Sequence, residues 1–492
     1  MSRSASPLLH PFSRRRFLRA MGTFAGGVAF APQLLAGCGG SSGSEAAVPL
    51  TVDPSVPWWL QNNFGPVSGE VEAFDLHVEG RLPPELNGLY ARNGSNPQSG
   101  ASQHWFLGDG MLHGVQLQAG RALWYRSRYV RTPLYEQGLD IDDIGAPLGP
   151  NNQANVSLVH HGGRLLTSGE VGAPFRIDPR DLGTIGVHTF DGRLNTSFTA
   201  HPKIDPATGN MHFFGYFFVP PYLTYHVADP SGAIVHSQEI PVTAGTMIHS
   251  FAITDRDVIF WELPVLFDIG AIGTGGGFPF GWDASYGARI GILPLGGNGD
   301  QIRWVEIDPC YVFHELNAHR EGDDVVIDVS RHDFMMNGER FGSDPLHVHR
   351  WRVSTAGSSL TFRDERVVDR GLEFPVHDRR FTGRPTRHGW FTVARDHPDT
   401  LDFGGVAHLD YATGDLRTWD PGPNRHIGET FFVPGGAGEG EGWLMTFTYD
   451  HARDTSSFLV LEAQDVEAGP VAEVSLPRRV PYGFHGIWVP EA

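Results

Sequence analysis

From residue 74 to the C-terminus, apolar alternations of four to eight residues recur between turn formers. Leu112–Leu117, Leu123–Val130, Val156–His160, His212–Val219, Asp257–Trp261, Val325–Val329, His347–Val353 and Leu444–Tyr449 each read as a strand. A period of two puts alternate side chains on one face of a sheet. Asn87-Gly88, Asp109-Gly110 and Asp191-Gly192 punctuate these runs and read as tight turns. The 62 glycines and 36 prolines are spread along all 492 residues, and no heptad or long 3.6-residue period is sustained. The chain is therefore expected to be all-β. So many strands exceed one sandwich. A β-propeller of six to eight four-stranded blades, about 60 residues each, fits better. No short repeat marks the blades, so the pattern leaves their number open.

The formal net charge is −19. That excludes a nucleic-acid partner, which needs clustered cations. Lys203 is the only lysine in the chain; every other basic side chain is Arg or His. Residues 1–37 read as an export signal. Ser13-Arg14-Arg15-Arg16-Phe17-Leu18-Arg19 matches a twin-arginine motif, and the small-residue stretch after it, with Pro32, is too weak for a membrane span. Leu35-Ala36-Gly37-Cys38 reads as a lipobox, with Cys38 lipidated after cleavage. The mature protein is then expected outside the bacterial cytoplasm, tethered to a membrane by residues 38–60, with 61–492 as one propeller domain. Trp58 and Trp59 read as part of a loop packed on that domain. Cys310 is the other cysteine of the two. It reads as a buried, inert thiol.

Four histidines sit in constrained settings: His201 in His-Pro-Lys-Ile-Asp, His249 in Met-Ile-His-Ser-Phe, His314 in Val-Phe-His-Glu-Leu-Asn and His485 in Tyr-Gly-Phe-His-Gly. Their separations are 48, 65 and 171 residues. None has the short-range partner of a zinc finger or a His-Glu-x-x-His helix. Spacing on the scale of a blade is what a propeller would use to bring side chains to its axis.

These segments resemble the carotenoid cleavage oxygenase family, seven-bladed propeller enzymes that include apocarotenoid, stilbene and retinoid enzymes. The resemblance runs from about residue 60 to the C-terminus. It also rests on Asn87–Gly94, His104–His113, Glu373-Phe374-Pro375, Gly428–Pro434 and Tyr449-Asp450-His451. It implies a seven-bladed propeller with a cap of loops and short helices over one Fe(II). The ligands it implies are His201, His249, His314 and His485, with Glu170, Glu373 and Glu429 behind three of them. Imidazole suits iron, and a carboxylate on the outer ring N–H fixes tautomer and orientation. His104, His113 and Lys203 read as structural, and the pairs His160-His161 and His347/His349 as surface or packing positions. Ser95 stands where the family usually has proline, Ser250 where aspartate is common, and Arg387–Trp390 replaces a more usual aromatic pair.

The implied reaction is cleavage of an alkene C=C by O2 to two carbonyl fragments. It needs no protein nucleophile or acid–base pair, and no such constellation is present. With Lys203 on a ligand segment, lysine-based activation of a phenol is not expected. A carotenoid or apocarotenoid is the expected substrate, with a stilbene or phenylpropanoid as the alternative. Retinoid-type isomerisation and a non-catalytic, lipophile-binding propeller are the other readings. The apolar, Gly-rich run 263–295 after His249 is expected to meet a membrane surface.

Overall fold

The computed structural model describes residues 46–139, 150–268, 278–335, 346–397 and 399–491. The twin-arginine motif, Cys38 and residues 269–277 of the apolar run lie outside them. From Ala47 onward the chain forms one compact unit.

Among the described residues, seven antiparallel sheets and one two-stranded ribbon account for the strands. The sheets are the seven blades of a β-propeller, numbered here in chain order. Blades two to six are consecutive four-stranded meanders. Blade two runs from Ser157–His161 to Thr184–Val187, blade three from Lys203–Ile204 to Ile234–Glu239 and blade four from Ala252–Ile253 to Arg303–Ile307. Blade five runs from Tyr311–Glu321 to Thr361–Val368 and blade six from Leu372–Val376 to Asp415–Trp419.

Blades one and seven are built from both ends of the domain. Gly486–Pro490 pairs antiparallel with Gly88–Ser95, with Arg92 opposite Gly486 and Gly88 opposite Pro490. Val78–Gly80 in turn completes blade seven by pairing with Pro470–Ser475. Each end of the domain therefore supplies a strand to the sheet begun by the other. That exchange satisfies edge N–H and C=O groups that a linear array would leave open.

Several inner and middle strands are buried on both faces, because blades pack face against face. Gly88–Ser95, Met211–Tyr216 and Asp257–Glu262 are buried along their whole length. Tyr90 of blade one meets Phe447 of blade seven edge-on and Phe458 at a tilt, at 5.3 and 5.1 Å between ring centroids. The outer strand Thr361–Val368 is mostly exposed and carries Arg363, Asp364, Glu365 and Arg366. Charge on an outer edge discourages pairing with a second molecule.

The expected strands are all present. His212–Val219 stops earlier, at Tyr216. Pro220 and Pro221 follow it and cannot donate to a ladder. Asp109-Gly110 is not a tight turn. It enters the strand Gly110–Gln118. A side chain at Gly110 would fall 2.4 Å from the Ala154 carbonyl oxygen, so close backbone approach requires the glycine. Trp58 packs on Phe64 and Trp105 at 4.8 and 6.2 Å, as expected of a loop seated on the domain. Cys310 is buried, and burial pushes its thiol up to about 12, against the nearby Arg331. That is an unreactive thiol.

Ile487 sits in the closing strand, opposite Ala91 and 3% exposed. Truncation of a buried Ile to Ala costs about 2–5 kcal/mol. Ile487→Ala should lower the urea midpoint accordingly. Ile185→Ala, at a 55%-exposed outer strand, should shift it little. Equal midpoints would mean that closure does not carry the ring's stability.

Candidate metal centre

Every blade delivers one residue to the axis. His201 precedes the inner strand of blade three, His249 that of blade four, and His314 lies within that of blade five. His485 immediately precedes the closing strand of blade one. Glu170 follows the second strand of blade two, Glu373 lies in the inner strand of blade six, and Glu429 joins Arg425–Ile427 to Phe431–Pro434 in blade seven.

One ring nitrogen from each histidine falls within 4.8 Å of the others. The imidazoles are mutually tilted, with ring centroids 4.3 to 5.1 Å from His201. Three of them turn their Nδ1 outward onto a carboxylate. His249 meets Glu170 at 2.8 Å, His314 meets Glu373 at 2.7 Å and His485 meets Glu429 at 2.8 Å. A carboxylate accepts only, so each Nδ1 carries the proton and each Nε2 presents a lone pair to the centre.

The carboxylates are themselves held. Tyr216 donates its hydroxyl to Glu170 at 2.8 Å, and the Gly486 backbone N–H donates to Glu429 at 2.9 Å. The Phe374 N–H closes on Glu373. Phe374 takes a positive φ of 52°, a strained conformation for a bulky residue. His332 lies 3.6 Å from the other Glu373 oxygen.

Burial and the neighbouring imidazoles hold His201 well below the usual histidine range. Burial also lowers His485, with Glu429 opposing. At His314 burial works against the proton, but Glu373 outweighs it and makes the ring more basic. Burial alone would raise the Glu373 carboxyl; His314 and His332 instead take it far below the carboxylate range. His314 Nε2 is buried with no hydrogen-bond partner, although its lone pair faces three other imidazoles. His201 Nε2 and His249 Nε2 are 2.9 Å apart. Converging lone pairs backed by three carboxylates fit a divalent cation, and neutral imidazoles suit a transition metal.

Aromatic rings flank the histidines. Phe313 lies 5.3 Å from His249, and Phe374 lies 5.3 Å from His314. Phe106 bridges Phe278, Phe313 and Phe484 at 5.4 to 6.3 Å. Beside the nitrogens, the site is apolar.

Residues 64–490 match the family described as "Retinal pigment epithelial membrane protein". This chain belongs to that family. It is 35% identical to the "Carotenoid cleavage oxygenase" of Mycobacterium tuberculosis, over 88% of this chain and 97% of that one. It is 34% identical to a "Carotenoid 9,10(9',10')-cleavage dioxygenase" of Crocus sativus, over 91% and 92%. The lignostilbene dioxygenase of Pseudomonas brassicacearum superposes with a TM-score of 0.82 at 28% identity, covering 90% of this chain and all of that one. The seven-bladed propeller and the family expected from the motifs are both found.

The remaining expectations fall out by position. His104 caps the short helix Trp105–Leu107, accepting from the Phe106 N–H, and stacks on Phe278. His113 meets the Tyr125 hydroxyl at 2.8 Å inside blade one. His161 and His349 bond Gly209 O and Asp364 away from the axis. Lys203 is bound to Glu315. Ser95 accepts from the Gly108 N–H at 3.0 Å, and Ser250 donates to Glu315 at 2.6 Å. Sequence reasoning missed Tyr216, His332 and the aromatic wall. Each reads locally as ordinary core, and only Phe313, beside His314, and Phe484, beside His485, carried a positional hint.

His113→Phe should remove the hydrogen bond to the buried Tyr125 hydroxyl, which keeps Ser127 as a partner, at a cost of about 0.5–1.5 kcal/mol. Metal content per chain should stay unchanged. Metal quantification beside thermal unfolding checks both, and clean metal loss in a folded His113→Phe protein would contradict its place outside the site.

Proposed function

We propose that the protein is a non-haem Fe(II) dioxygenase that cleaves one C=C bond of a carotenoid or apocarotenoid with O2, giving two carbonyl products. The observation that carries this reading is the convergence of four imidazoles, three of them tethered outward to carboxylates, beside an aromatic wall, in a chain related to carotenoid cleavage oxygenases. His201, His249, His314 and His485 would hold one iron. Bound there, Fe(II) supplies activation of O2 without charge from its ligands. The alkene bond breaks and each of its carbons takes one oxygen atom, so O2 balances the reaction with no further reductant.

The protein's own part is positioning. Glu170, Glu373 and Glu429 fix the tautomers and ring planes of three histidines. Phe106, Phe313, Phe374 and Phe484 exclude water and suit a flat, apolar polyene laid against the histidines. The close superposition on a lignostilbene dioxygenase supports a stilbene as the second reading. Against it, the chain's only lysine is tied to Glu315 and cannot take a phenol proton from there.

His201→Ala, His249→Ala, His314→Ala and His485→Ala should each lower iron content and abolish O2-dependent cleavage. Glu373→Gln and Glu429→Gln should lose about 10- to 100-fold in metal affinity or activity. Iron quantification and mass-spectrometric product analysis, on a panel of apocarotenoids and stilbenes, test this. A folded His485→Ala protein with full iron and full turnover would refute the assignment. Cleavage of stilbenes alone would select the second reading.

We further propose that the protein is exported by the twin-arginine route and anchored to a membrane through a lipid on Cys38. Among the described residues, no helix is long and apolar enough to cross a membrane. The ribbon of Val265–Phe267 with Phe280–Trp282 supports a second contact. Phe267 stacks on Phe218 at 4.2 Å, next to Val219, which is 48% exposed. Arg14 and Arg15 changed to Lys should leave precursor in the cytoplasm, and Cys38→Ala should release the protein from membranes. Phe278 and Phe280 changed to Ser should weaken liposome binding of the unlipidated protein. Unchanged fractionation and unchanged liposome binding would refute the anchor and the patch respectively.

A further inference from the structure

Three of the four histidines have a carboxylate on Nδ1, and His201 has none. Among the described residues, its hydrogen bonds are the Nε2 contact with His249 and a backbone N–H donated to Thr199 at 3.1 Å. An imidazole without an outer partner keeps its ring orientation only through the segment that carries it. That segment, His201-Pro202-Lys203, ends in the one lysine of the chain.

Lys203 makes an ion pair with Glu315, the residue after His314. Ser250, the residue after His249, donates to the other Glu315 oxygen at 2.6 Å. The Lys203 ammonium is 3.5 Å from the Ser250 hydroxyl and 5.9 Å from the Phe251 ring. One lysine, one serine and one glutamate therefore join the segments of His201, His249 and His314. The side chains of Lys203 and Glu315 are 18% and 4% exposed. A buried charge that loses its partner is strongly unfavourable, so the pair is kept or lost as a unit.

We propose that the Lys203–Glu315 pair, bridged by Ser250, is the positioning device for His201. It replaces the missing fourth carboxylate by fastening the His201 segment to its two neighbours. The composition of the chain bears on this. A sequence that places Arg or His at every other basic position keeps Lys here. An ammonium is a compact point charge, whereas a guanidinium is a wide planar fork. Lys203 sets its ammonium between Glu315, Ser250 and the Phe251 ring.

The inference rests on the reading that the four histidines hold one metal, so its test must separate the two. Metal-free protein is titrated with Co(II), and affinity and the visible ligand-field spectrum are recorded beside urea unfolding. Lys203→Met and Glu315→Gln should each bind Co(II) about 10- to 100-fold more weakly, as for other residues that orient ligands. Lys203→Arg should recover only part of that loss. The double variant Lys203→Met/Glu315→Gln leaves no unpaired buried charge, so it should regain the unfolding midpoint but not the affinity or the spectrum. A double variant with wild-type Co(II) affinity and spectrum would overturn the proposal and leave the pair a purely structural tie. His314→Ala is run in parallel. Wild-type Co(II) binding by that variant would instead overturn the metal site itself.

Discussion

The antiparallel pairing of Gly486–Pro490 with Gly88–Ser95 is the contact on which the rest of the molecule depends. It joins segments roughly 400 residues apart, and without it seven sheets form an open arc. A closed ring gives every inner strand the same neighbourhood, the axis. Seven blades then supply four histidines and three glutamates, one residue each. A loss of closure would therefore not weaken the site gradually. It would remove His485, whose own carbonyl accepts from the Asn93 N–H of the first blade, at 3.1 Å.

Within the ring, the site is organised outward from the nitrogens. A histidine is aimed by a carboxylate, and the carboxylate by a further donor: Tyr216, the Phe374 amide or the Gly486 amide. Each step is a charge-assisted hydrogen bond in surroundings that screen it little, which makes it strong and directional. Three carboxylates, one buried and two partly so, would be an expensive collection of like charges without a central cation. The same arrangement is favourable around a divalent ion. The strained backbone at Phe374 belongs to this scheme, because it lies at the residue whose own N–H closes on the Glu373 carboxylate.

Much of this was legible in the chain. Period-two runs located the strands, because a blade's strands follow one another as meanders and leave a local trace. The motifs around His201, His249, His314 and His485 marked the centre, and Glu170, with the least distinctive flanks, still fell behind His249. What stayed hidden is what has no local trace. The exchange of end strands pairs Val78–Gly80 with Pro470–Ser475, and nothing in either stretch names the other. Tyr216 looks like one more aromatic in a buried strand. The role of Gly110 looked like a turn because a dipeptide shows backbone freedom, not the carbonyl pressed against it. Ser250 looked like a mere departure, although it bridges Lys203 and Glu315.

The position of His485, after the other six blades and just before the closing strand, has a consequence for how the molecule is made. A nascent chain emerging from the ribosome can build blades two to six as local meanders, but the fourth nitrogen and the closing strand arrive together and last. No polypeptide that stops short of His485 presents all four nitrogens. A premature stop or a frameshift upstream of His485 yields a product that can neither seal the ring nor bring four imidazoles together.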